Sequence, residues 1–208
     1  MLTVGLDAVV VENDLLAGHL ACPATGCGAV LGPWGWGRER SVRGVGRLRP
    51  RRARCPGCKG TQVLLPASVL LRRADAVTAV GAALLAKAHG RGHRPIAAEL
   101  SVPESTVRGW LRRIVVVAAR VLAVLAAATA GLGSEFAAPA ITGSPVEAVV
   151  ELLGALAASV ARRLGGSCSP WRLAAVLTGG RLLAPAGPDL PAGGGSGRNT
   201  SSLWAAAR

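Results

Sequence analysis

Four of the five cysteines fall in two close pairs, Cys22-x4-Cys27 and Cys55-x2-Cys58, on either side of the segment 28–54. One tetrahedral zinc ion takes two thiolates from each of two tight turns, so this spacing ties two distant stretches of chain to one point. The second turn, Cys55-Pro56-Gly57-Cys58-Lys59-Gly60, has the proline and glycines that let backbone N–H groups approach sulfur. The first, Cys22-Pro23-Ala24-Thr25-Gly26-Cys27-Gly28, is two residues wider than the commonest form. The expected result is a small β-rich zinc ribbon with Cys22, Cys27, Cys55 and Cys58 as ligands. Four sulfurs leave no open coordination position, so the Zn2+ is structural.

Disulfides are the competing use of such pairs. Residues 1–11 carry no Lys or Arg ahead of their short apolar run and have Asp7 inside it, so they do not read as a secretory leader. A reducing cytoplasm is the expected location, and paired cysteines there serve metals more often than bridges. Cys168 stands alone beside a helix start and reads as a small buried residue.

Charge points to the partner. The net charge is +13, and 22 arginines outnumber 2 lysines, a balance suited to polyanions. Arginine, glycine and alanine are all abundant, so position is more informative than total. Nine basic residues lie between Arg38 and Lys59 against one acid, Glu39. The stretch Arg47-Leu48-Arg49 alternates as a strand with one basic face does, and Trp34 and Trp36 precede it. Arg49, Arg51, Arg52 and Arg54 are the candidate phosphate contacts of this ribbon.

Residues 1–66 read as the ribbon module. It opens with a strand in part of 2–11 and a polar turn at Glu12-Asn13-Asp14, and closes with a strand at 61–65 before Pro66. An α-helical domain follows over 74–183. Its first helix runs from about Asp75, a plausible cap, to His89, with apolar residues at helical spacing and Gly90-Arg91-Gly92 as the stop.

The segment 93–113 fits the helix-turn-helix template counted from His93. Apolar residues stand at the fourth, eighth, tenth, fifteenth and eighteenth places (Ile96, Leu100, Val102, Val107, Trp110). Small Ala97 occupies the fifth place, where the helices cross, and turn-tolerant Ser101 the ninth. Pro103 follows the turn, where a missing N–H costs little. The second helix, from about Glu104, would lie in the major groove. Glu104, Ser105, Thr106, Arg108, Arg112 and Arg113 are its candidate DNA-binding residues, with Arg108 the base reader because arginine pairs bidentately with guanine.

The nearly continuous apolar run 114–132 reads as a buried continuation of that helix. Against a membrane span, the run contains Arg120 and many small residues and follows Arg112 and Arg113. Ser144-Pro145-Val146-Glu147 is a capping box opening a helix that Gly165-Gly166 ends, and Ser169-Pro170-Trp171 opens a shorter one. The tail 184–208 is rich in Pro, Gly and Ser and is expected to be disordered. No phosphate loop, nucleophile elbow or clustered carboxylates are present, so no enzyme is legible and no small-molecule substrate is evident.

Several segments together resemble the N-terminal DNA-binding half of bacterial insertion-sequence transposases, and more closely a group of uncharacterised bacterial zinc-ribbon/helix-turn-helix proteins. They are Cys22-Pro23 with Cys27-Gly28, Arg49-Pro50-Arg51-Arg52-Ala53-Arg54-Cys55-Pro56-Gly57-Cys58, Leu64-Leu65-Pro66 and Ser105-Thr106-Val107-Arg108-Gly109-Trp110-Leu111-Arg112-Arg113. The resemblance covers about residues 20–113. It implies zinc at the four cysteines and double-stranded DNA contact by the second helix. It does not imply transposition, since the carboxylate catalytic domain of those enzymes has no counterpart. The expectation is therefore a mainly α protein with an N-terminal β zinc ribbon, a helix-turn-helix and a helical bundle, binding DNA without catalysis as a regulator or transposase-derived protein. A palindromic target would make it a homodimer. The alternatives are a structural or RNA-binding protein on the same scaffold, or a membrane-associated regulator using 114–132.

Overall fold

In a computed structural model, which describes residues 1–137, 139–140 and 143–188, a small sheet precedes a larger helical body. The sheet module comprises β1 (Leu2–Val4), α1 (Ala8–Leu16), β2 (Gly32–Trp36), β3 (Arg40–Val42), β4 (Gly46–Leu48), β5 (Arg51–Arg54) and β6 (Thr61–Pro66). The main sheet has the order β1-β6-β5-β2, with β1 parallel to β6 and the other pairs antiparallel. β3 and β4 form a separate hairpin inserted between β2 and β5.

The strand expected within 2–11 forms as β1, but the expected turn does not: Glu12, Asn13 and Asp14 lie inside α1. The cause is local. The Asp7 carboxylate accepts from the N–H groups of Val9 (2.8 Å) and Val10 (3.2 Å), capping a helix whose Val11 and Leu15 face the sheet. With Val4, Leu31, Ala53, Cys55 and Leu64 these two residues form the module's small core.

The helical body contains α2 (Val77–Ala88), α3 (His93–Glu99), α4 (Glu104–Thr129), α5 (Pro145–Leu164) and α6 (Pro170–Leu177). Asp75 does not cap α2. Ala76 holds that position without a side-chain bond, while Asp75 is buried against Arg43, whose Nη1 lies 3.2 Å from its Oδ1. The hairpin is latched there: Arg43 N–H donates to Ala74 O (2.7 Å) and Ala76 N–H to Arg43 O (2.8 Å).

α4 packs chiefly on α5, and Trp110, Ile114, Val121 and Leu125 from α4 meet Val149, Leu153 and Leu156 from α5 in one core. The Ser144 capping box forms as the sequence indicates, with Ser144 N–H donating to Glu147 Oε2 (2.7 Å), and Gly165 ends α5 in the left-handed region (φ 64°). α2 crosses α6 so closely that a Cβ on Gly81 would run into the Trp171 ring. Residues 184–188 lie beside α4, where the Arg120 guanidinium donates to Ala186 O. The tail expectation beyond them falls outside the described residues.

Candidate functional site

The sheet module brings the four paired cysteines together. Cys22 and Cys27 lie in the connection between α1 and β2, and Cys55 and Cys58 in the turn between β5 and β6. All four Sγ atoms lie within 4.8 Å of one another. The closest pairs join the two turns, Cys22 to Cys58 at 3.7 Å and Cys27 to Cys55 at 3.4 Å. Disulfide sulfurs would be about 2.05 Å apart. Thiolates about 2.3 Å from a tetrahedral ion are about 3.8 Å apart, so the spacing fits a four-sulfur metal site.

The surroundings support the same fit. The Cys58 N–H donates to Cys55 and draws its thiol down to about 6, and burial pushes Cys22 up to about 12. Buried Cys22 therefore ionises with difficulty unless a cation joins it. A Cβ at Gly57 would come within 3.3 Å of Cys27 Sγ, and one at Gly60 within 3.3 Å of Cys58 Sγ, so these glycines keep the pocket open for sulfur. The extra width of the first turn is taken up locally. Cys27 N–H donates to Ala24 O (3.1 Å), Gly26 and Gly28 adopt φ of 73° and 64°, and Cys22 N–H pairs with Ala29 O (2.8 Å).

The ribbon arginines do not present one uniform face. Arg51 is 14% exposed and held inside the module: its Nε (2.7 Å) and Nη2 (3.0 Å) grip Glu12, and its Nη1 donates to Gly35 O (2.6 Å). Arg54 stacks on Trp34 at 4.4 Å from the ring centroid, while Arg51 and the exposed Arg49 lie over Trp36 at 5.0 and 6.0 Å. Arg52 is half-buried. A register shift between Pro33 and Gly35 sets which arginine each tryptophan meets.

α3 and α4 are joined by residues 100–103. Ser101 takes the left-handed φ of 51°, and Val102 N–H returns to Ala97 O (3.0 Å). Ile96, Ala97, Val102, Val107 and Trp110 are buried, whereas Glu104, Ser105, Arg108, Arg112 and Arg113 are exposed and Thr106 is half-buried. Glu104 faces Arg94 (3.6 Å), and Arg108 Nη2 lies 3.4 Å from His93 Nε2.

Two open hollows border the remaining α4 candidates. Arg112 and Arg113 line one together with Ala184 and Pro185. Ser105, Thr106 and Arg113 border an open cleft of about 390 Å³ whose opposite wall includes Arg43, Arg72, Arg73 and Asp75. The sheet-module residue in that cleft is Arg43, not one from 49–54. Arg72 and Arg73 escaped the sequence reading; their only signal was a basic pair in the link between the modules. Comparison with protein-family models, with curated proteins and with solved structures finds no match to this chain.

Proposed function

We propose that the chain is a non-catalytic DNA-binding protein whose α3–turn–α4 unit acts as a helix-turn-helix and whose sheet module is a zinc ribbon. The observation that carries this reading is the division of α4's first three turns. Val107 and Trp110 are buried against the body, while Ser105, Arg108 and Arg112 project outward behind a sharp turn at Ser101. An exposed basic helix end of this kind suits the major groove, with Arg108 reading guanine and Arg49, Arg52, Arg54 and Arg113 contacting phosphates. Arg51 is excluded from that set by its hold on Glu12. Zinc is the proposed metal, since four thiolates in a closed tetrahedral arrangement match its structural sites.

Selection of bound duplexes from random DNA, followed by titration with salt, tests the reading. The expected result is a defined target and a log–log salt slope of about −0.9 per phosphate contacted. Arg108→Ala should weaken the selected site by about 1–3 kcal/mol and spare non-specific duplex. Absence of duplex binding rejects the proposal.

A second reading, a protein-interaction or membrane-associated role, draws on the middle of α4. That helix is long and apolar enough to cross a membrane by composition, and only 33% of its most apolar window is buried. Val116 is 78% exposed. Sedimentation of the expressed chain with membranes, or as a stable oligomer without any DNA affinity, would favour this alternative.

A further inference from the structure

The cleft between the two modules concentrates positive charge that the fold does not neutralise. Arg43 comes from the β3–β4 hairpin, Arg72 and Arg73 from the link between sheet and helices, and Arg113 from α4. Among the described residues Asp75 is the one acidic residue in the lining, and it faces Arg43. The lining therefore carries an excess of three positive charges.

Three details make this more than a solvated basic surface. Arg73 Nε is buried without a hydrogen-bond partner, although Nη2 of the same guanidinium donates to Leu183 O (2.6 Å). A buried donor left unpaired is costly, and it is normally satisfied by a partner. Burial, and then the like charge of Arg113, holds Arg73 below its ordinary value, so both groups gain from an anion between them. Arg72 sits at φ 56°, in a tight turn closed by Arg73 N–H to Leu70 O (3.2 Å). Glycine or asparagine is the unstrained choice there, so the arginine holds a strained backbone at the edge of the cleft. Ser105 and Thr106 add hydroxyls from the first turn of α4, whose cap residue Pro103 offers no side-chain bond.

We propose that this cleft binds a phosphate group, with Arg72, Arg73 and Arg113 as its charge partners and Ser105 and Thr106 as hydroxyl donors. Arginine forks match the geometry of phosphate oxygens, and three of them around one cleft select a multiply charged anion over a halide. The phosphate is either a free phosphorylated ligand or a backbone phosphate of the duplex. The second source rests on the DNA-binding reading; the first does not.

The test uses the full chain with its metal and two variants. Arg72→Gly removes charge at a position where glycine relieves the backbone, so its melting temperature should not fall. Arg113→Gln removes an exposed charge on α4. Arg108→Ala, outside the cleft, is the control. Each protein is titrated calorimetrically with inorganic phosphate and pyrophosphate, and separately with duplex DNA over a range of salt.

Saturable binding of either anion at one per chain, weakened tenfold or more in both variants and unchanged in the control, supports a free-ligand site. No anion binding, but a duplex salt slope reduced by about one in each variant, supports a backbone-phosphate site. Neither effect overturns the inference. Anion binding without any duplex affinity would leave the cleft standing and remove the DNA reading. Duplex binding untouched by both variants, together with no anion binding, would do the reverse.

Discussion

The two modules are held together by different physics. The helical body has one continuous apolar core through α2, α4, α5 and α6, anchored by Trp110 and a row of leucines and valines. The sheet module has a core of eight buried residues, two of them metal-site cysteines, and short strands of three to six residues. A core that small rarely holds a fold unaided, and a metal supplies what burial cannot. The larger body should therefore depend on packing, and the smaller module on its four sulfurs.

The largest expected effect tests that division directly. Chelation, or Cys55→Ser in the full chain, should unfold the sheet module, because structural zinc in small domains contributes on the order of 10–16 kcal/mol at neutral pH. The far-UV signature of α4 and α5 should persist. Loss of both signals together would show the modules to be one cooperative unit. Next, Trp110→Ala should destabilise the helical body by about 3–5 kcal/mol in denaturant titration while leaving metal stoichiometry unchanged. A changed stoichiometry would break the comparison from the other side.

A smaller change sharpens it. Alanine is the better helix former by about 1 kcal/mol, yet Gly81→Ala should lower stability by about 1–3 kcal/mol because the new methyl meets Trp171. A rise in melting temperature would mean that α6 can move away from α2. The smallest effect lies in the sheet module. The hydrogen bond from Arg51 lowers the Glu12 pKa, so the pair's stabilisation is present above the ordinary glutamate value of about 4.3 and is lost as pH falls through the lower folded value. Glu12→Gln should therefore reduce stability modestly at pH 7 and make no difference near pH 2. An equal loss at both pH values would assign Glu12 a packing role instead.

Legibility in the sequence followed the same division. The cysteine cluster could be read because each pair is local and thiolate spacing survives any route the chain takes between them. The α5 box and the buried face of α3 and α4 could be read because helical period and caps are local too. Ala8-Val9-Val10-Val11 misled, since β-branched residues favour strands, and the Asp7 cap outweighed that preference. Asp75 misled for the opposite reason: a good capping residue was taken up by a partner 32 positions earlier, Arg43. Which ribbon arginines face inward depended on a bulge in β2 and on a helix that the sequence did not announce. The cleft was hidden for the same reason, being assembled from three separate stretches of chain.

α4 spans 26 residues without a break, about 39 Å at 1.5 Å per residue. Its far half is clasped by α5 and its near end carries Arg108, so the helix is a lever with its fulcrum in the body. A tilt of about 10° about the middle of the helix, roughly 13 Å from Arg108, would sweep that end through about 2 Å, a good part of one base-pair step of about 3.4 Å. Small repacking in the α4–α5 seam, far from any charged group, would then re-aim the tip rather than loosen it.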